Sequence, residues 1–190
     1  MSNAGGFKSL NRYYDMLAGN PVFVSDSYDS IQTVTVGSTA QSSISFTSIP
    51  ATYKHLQIRA FNRCSVNSGR LRFQFNGDTA ANYSGHYILG TGASALAGGA
   101  TNDTRLSGAY NNSTANIFSV DIVDILEYAN TNIYKSTRTL SGVDTNDANG
   151  EVFYVSGNWR STSAITSILM YFDSGNITQY SSFALYGIKG

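Results

Sequence analysis

The chain has 190 residues, twelve basic and twelve acidic side chains and a net charge of zero, which leaves room for one domain with a full core plus an extension. Only 13% of residues are charged, about half the usual share of roughly 25%, and the absence of clustered Lys and Arg argues against nucleic acid as a partner. The single cysteine, Cys64, excludes an internal disulfide framework and reads as a small buried apolar residue, and no signal segment or apolar run of membrane-spanning length appears.

Residues 1–29 differ from the rest and read as an N-terminal arm. Ser2-Asn3-Ala4 has the look of an expression scar, although Met1 before it favours a natural start. Leu10, Tyr13, Tyr14 and Leu17 recur at three- and four-residue spacing, so a short helix aligns them before Gly19-Asn20-Pro21 stops it. A helix of that length is marginal alone. Phe7, Leu10, Tyr13, Tyr14, Met16 and Leu17 therefore need a covering surface, either this chain's own domain or a neighbouring subunit. The neighbour is favoured, because short apolar terminal segments order only when docked.

From Ser30 onward the pattern has period two. Val34 and Val36 open it, and Ile44 and Phe46 alternate with Ser43, Ser45 and Thr47. Leu56, Ile58 and Ala60 oppose His55, Gln57 and Arg59; Leu71, Phe73 and Phe75 oppose Arg70, Arg72 and Gln74. Phe118, Val120 and Ile122 oppose Ser119 and Asp121, and further runs cover 152–156, 165–172 and 183–188. Such alternation marks antiparallel sheets with one wet side. Eight or more strands of this kind predict an all-β antiparallel sandwich over 30–190, preferably of jelly-roll topology.

Between the runs, Asn76-Gly77 is a strong hairpin signal. The stretch 91–116, rich in Gly, Ala and Asn, reads as a long loop of functional or mobile character. Asp124 to Ala129 reads as a single helical turn. Four Asn-x-Ser/Thr triplets, at Asn82, Asn102, Asn112 and Asn176, are expected by chance in a chain of this composition.

Chemistry is hard to find. His55 and His86 lack short ligand spacing to Cys64, so neither a metal nor a cofactor is expected. Serines are too common for any Ser–His–Asp set to carry weight, and there is no Gly-x-Ser-x-Gly elbow. Asp121, Asp124 and Glu127 are the carboxylates a glycosidase reading would use, but they look like a strand end and a following turn. Trp159 invites two readings, stacking on a sugar ring or packing as core mass, and the second is preferred.

Several short strings, taken in order, resemble a β-domain recurrent in structural proteins of tailed bacteriophages. They are Ser48-Ile-Pro-x-x-Tyr53-x-x-Leu56-x-Ile58-Arg59, Phe75-Asn-Gly-Asp78, Asn82-Tyr-Ser84, Tyr128-Ala-Asn130 with Tyr134-Lys135, Gly157-x-Trp159, Ala164-Ile-Thr-Ser-Ile168 and Ser182-Phe-x-Leu-Tyr-Gly-Ile-Lys189. The resemblance covers residues 31–190 and implies a non-enzymatic protein on the outer surface of the virion, often a trimer. A capsid decoration (cement) protein that binds and stabilises the assembled head is the leading expectation. A receptor-binding tail-fibre or spike protein recognising host glycan or protein is the alternative. The arm would then dock on the major capsid protein or a tail protein.

Overall fold

The computed structural model describes Ala18 and residues 27–67, 69–146 and 150–190. The expected docking residues Phe7, Leu10, Tyr13, Tyr14, Met16 and Leu17, and the expected short helix, lie outside these described residues.

Among the described residues twelve strands follow one another: β1 (Tyr28–Thr35), β2 (Ser43–Phe46), β3 (His55–Asn62), β4 (Gly69–Phe75), β5 (Tyr83–Gly90), β6 (Ala95–Asp103), β7 (Leu106–Asn111), β8 (Ser119–Leu126), β9 (Lys135–Val143), β10 (Glu151–Trp159), β11 (Ile168–Phe172) and β12 (Ser182–Ile188). They form an eight-stranded sheet, β1-β12-β3-β8-β9-β10-β5-β6, and a four-stranded sheet, β2-β11-β4-β7. Every pairing is antiparallel. The all-β expectation is met, in a two-layer, sandwich-like arrangement.

The alternating apolar residues supply the layer between the sheets. Leu56 and Ile58 on β3, Val123 and Ile125 on β8 and Phe183 and Leu185 on β12 meet Phe46, Phe73, Phe75, Ile168 and Met170 of the smaller sheet in one buried cluster. All eleven are at most 1% exposed. At roughly 25 cal/mol per Å² of apolar surface this layer is the main stabilising term of the domain.

Four expectations change. Residues 91–116 are mainly strand. β6 pairs with β5, and β7 pairs with β4. The Gly and Ala content that suggested a loop serves close packing instead: a Cβ on Gly98 would sit 2.6 Å from the Tyr87 hydroxyl, so the small residue leaves room for the ring of the paired strand. Asp124 to Leu126 completes β8, and a turn with Asn130 N–H donating to Glu127 O at 3.0 Å follows in place of a helical turn. Asn76 and Gly77 do make a tight turn with positive φ, closed by Asp78 N–H to Phe75 O at 2.9 Å. Yet β4 and β5 belong to different sheets, so the turn is a corner between layers and not a hairpin.

The fourth change concerns β8. Its polar residues Ser119 and Asp121 face inward and are 0% and 1% exposed, while Val120 and Ile122 face outward at 52% and 40%. The inward polar residues have a task. β7 is the edge of the smaller sheet, and its outer side has no neighbouring strand. The Asp121 carboxylate accepts from Ala109 N–H, and the Glu151 carboxylate accepts from Tyr110 N–H. Asn62 and Ser141 also donate to Asp121. Burial pushes the Asp121 carboxyl up from its usual range, against those donors. A side chain at position 108 would collide with the Asp121 carboxylate, which is why glycine stands there.

Candidate functional site

Most of the short strings described above meet at one end of the molecule, where they lock loops together. Trp159 is 2% exposed. It stacks on Tyr83, meets Phe75 edge-on at 5.5 Å between ring centroids, and donates from Nε1 to Asp78 at 2.7 Å. Its ring is core mass and offers no face to a sugar. The Tyr83 hydroxyl accepts from Phe75 N–H and donates to Asp78 O, and burial pushes it up to about 12. Tyr128 donates to Pro50 O and accepts from Tyr53 N–H. Asn76 Oδ1 accepts from the N–H groups of Thr166 and Ser167. Lys135 is fully buried, and its Nζ donates to Asn130 O, Ile133 O and Thr162 O at 2.6, 2.9 and 3.1 Å. These residues hold the scaffold.

The other candidates are also tied down. Asp124 accepts from Gln57 and Arg138, and Glu127 pairs with Lys54 at 2.5 Å, which holds its carboxyl below the usual range. Asp121, Asp124 and Glu127 thus have three separate sets of partners. His55 Nδ1 accepts from Glu127 N–H, and His86 is exposed on β5. Cys64 is buried, and its Sγ donates to Ser174 O; burial pushes the thiol up. Among the described residues no three His, Cys, Asp or Glu side chains gather as metal ligands.

Two features remain that the scaffold does not use. The first is a band of apolar side chains on the outer face of the larger sheet. Strand register places Ile122, Leu140, Tyr154 and Ile88 side by side across β8, β9, β10 and β5. The adjacent row runs Phe61, Val120, Gly142, Val152 and Gly90. Phe61, Val120, Leu140, Val152 and Ile88 are each about half exposed or more, between 47% and 63%. Where the band meets β6, a shallow apolar hollow is lined by Ile88, Ala97, Val152 and Tyr154. A third row borders the band with polar groups: Gln57, Asp124, Arg138, Ser156 and His86. Isolated exposed apolar residues need no explanation, but a contiguous patch marks an interaction surface.

The second feature follows from strand number. Eight strands face four, so β10, β5 and β6 overhang the free edge of β7. A cleft of ≈ 430 Å³ lies beneath the overhang. Phe153, Val155, Tyr87 and Leu89 rise from the larger sheet, and Leu106 and Tyr110 come from β7. Arg70, Arg72, Arg105 and Asp103 supply charge at the same cleft. The Arg70 guanidinium reaches across β7, lying 3.7 Å from the Tyr110 ring centroid and 4.4 Å from that of Phe153.

Neither feature was assembled from sequence. Arg105 and Tyr110 lie in 91–116, which reads as loop, and the period-two runs described above do not extend to Tyr87. Val120, Ile122, Val152 and Tyr154 stand in period-two runs of the sequence, but their outward facing does not show there, and Phe61, Ile88 and Leu140 lie outside those runs. The one signal available was Asp121 at the centre of an apolar strand.

Comparison with known proteins adds little. No family model and no curated protein matches this chain. One solved structure with some likeness is a protein of unknown function from Shewanella oneidensis MR-1, at 9% identity and a TM-score of 0.26, covering 85% of this chain and 75% of that one. A likeness of that size supports no functional statement.

Proposed function

We propose that this chain is a non-enzymatic structural protein of a tailed-phage virion, a decoration protein that binds the assembled head and stabilises it. The observation that carries this reading is the apolar band on the outer face of the larger sheet, part of which lies opposite the polar inner positions Ser119, Asp121, Thr139 and Ser141. A surface of that kind is built to be covered by protein. The strings that resemble the phage β-domain give the type of particle. Strand order supports the jelly-roll reading: β1-β12-β3-β8 facing β2-β11-β4-β7 is the order two interleaved Greek keys give. The β5–β6 and β9–β10 hairpins then extend one sheet beyond it.

In this reading the subunits associate, as trimers, through the outer face, and arm residues Phe7, Leu10, Tyr13, Tyr14, Met16 and Leu17 dock on the major capsid protein. Three weak arms on one oligomer act together through effective concentration. Binding only the assembled lattice stabilises it by mass action. Copy number per purified virion tests the role: hundreds of copies fit head decoration, and a handful fits the tail. Deleting residues 1–29 should leave a folded domain that no longer attaches to bare heads, and normal attachment of the truncated chain would refute arm docking.

The cleft favours a second reading, a receptor-binding tail-fibre or spike protein, because a decoration role has no use for a ligand site.

A further inference from the structure

The cleft beside β7 is lined by Arg105, whose guanidinium carries a donor that the protein leaves unsatisfied. Arg105 Nε is buried and has no hydrogen-bond partner. The neighbouring arginines are engaged: Arg72 holds Asp173 at 2.8 Å, and Arg70 donates to Gly108 O at 2.9 Å, with Glu151 3.7 Å away. A buried donor without an acceptor is costly, and charge-assisted bonds from arginine to a carboxylate are among the strongest available. The walls beside Arg105 are aromatic and aliphatic, from Tyr87, Leu96 and Leu106. The cleft volume of ≈ 430 Å³ falls in the range of small-ligand sites, roughly 300–1,000 Å³.

We propose that this cleft binds a small ring-bearing carboxylate. The acid oxygen accepts from Arg105, and the apolar face of the ring lies against Tyr87 and Leu96. Charge selects a monoanion over a phosphate. Arg70 and Arg72 are already paired with Glu151 and Asp173, so Arg105 is left to meet one negative charge and the site has little surplus to hold a dianion. Two sources offer this chemistry, an acidic sugar unit of a surface polysaccharide and a free aromatic acid. The proposal deepens the receptor-binding reading, and its titration is carried out on the isolated chain, so it stands or falls separately from the place of the chain on a particle.

The test is an amide NMR titration of the full chain with glucuronate and with benzoate, using glucose and benzyl alcohol as neutral counterparts. At least one acid should give saturable shifts at Tyr87, Leu96 and Tyr110, its neutral counterpart should not, and the tighter acid identifies the source. Arg105→Met should weaken binding about tenfold or more, the equivalent of about one charge-assisted hydrogen bond. Leu96→Trp should abolish it by filling the cleft; Leu96 is 54% exposed, so this variant folds even where Arg105→Met does not. Failure of both acids to saturate, equal binding of a neutral counterpart, or unchanged affinity in Leu96→Trp would overturn the proposal.

Discussion

Replacing Leu140 by glutamate separates the stability of the domain from the purpose of its outer face. Leu140 sits at the middle of the apolar band, in register with Ile122 on one side and Tyr154 on the other. It is 49% exposed, so about half of its side chain is already in water. Full burial of a leucine is worth about 1.5–3 kcal/mol, so the isolated domain should lose only about 1 kcal/mol. The same substitution at Val123, which is 1% exposed on the same sheet's other face, should prevent folding. In the proposed assembly the balance reverses. A glutamate carboxylate trapped against an apolar partner costs several kcal/mol, and even about 3 kcal/mol weakens association by about 150-fold. Thermal melts give the first quantity, and sedimentation velocity across a concentration series gives the second. The expected pattern is a nearly unchanged melt with dissociated subunits. If Leu140→Glu unfolded the domain as Val123→Glu does, or left self-association unaltered, the band would not be an interface.

Lys135→Met keeps the aliphatic stem but removes the buried donor to three loop carbonyls; urea denaturation should show a loss of about 3 kcal/mol at unchanged m-value, and a loss below about 1 kcal/mol would mean the ammonium is not the staple. Tyr83→Phe tests alkaline stability. The Tyr83 hydroxyl is raised to about 12 in the folded state, against about 10 unfolded. Its contribution is therefore full below pH 10 and fades as pH rises toward 12, by up to about 3 kcal/mol. The stability advantage of the wild type over Tyr83→Phe should shrink over that window, and a constant difference would contradict the assignment. Asp121→Asn places an amide donor among Asn62, Ser141 and Ala109 N–H, all of which donate to the carboxylate; a loss of about 1–3 kcal/mol in denaturant melts is expected, whereas an unchanged midpoint would show that β7 is held otherwise.

Period two was enough to place β3 and β4, because residues such as Leu56, Ile58, Phe73 and Phe75 alternate with polar neighbours and the sheet must bury the apolar side. The Asn76-Gly77 turn was equally plain, since both positions need positive φ. Its destination was not, because a tight turn has the same local chemistry whether the next strand pairs with the last or crosses to the facing sheet. β6 was lost for a similar reason. Its alanines and glycines have no strand propensity of their own, and they pair with β5 because Tyr87 and His86 occupy the space above Gly98 and Gly99. Trp159 and Asp78 came out as structural residues, but their contact spans 81 positions, beyond any local pattern. The cleft needed two facts that no local pattern contains, the strand count of each sheet and the position of β7 at an edge.

The facing of β8 is the most instructive case. Alternation says that two faces differ; it does not say which one the fold buries. Normally apolar area decides, since leaving three large side chains in water forfeits several kcal/mol. Here a second demand outweighs it. β7 brings edge N–H groups into the interior with no strand to receive them, and an unpaired buried N–H costs about 1–3 kcal/mol each. Asp121 and Glu151, with Asn62 and Ser141 around the first, meet that demand from the opposite sheet. That accounts for the polar side of β8 facing in. It does not account for the identity of the residues turned outward. Thr or Ser at positions 120, 122, 140 and 152 would have kept the strands and the β7 contacts alike. The fold of a single chain thus does not require Val120, Ile122, Leu140 and Val152 to be apolar, and the proposed covering protein surface would supply the reason.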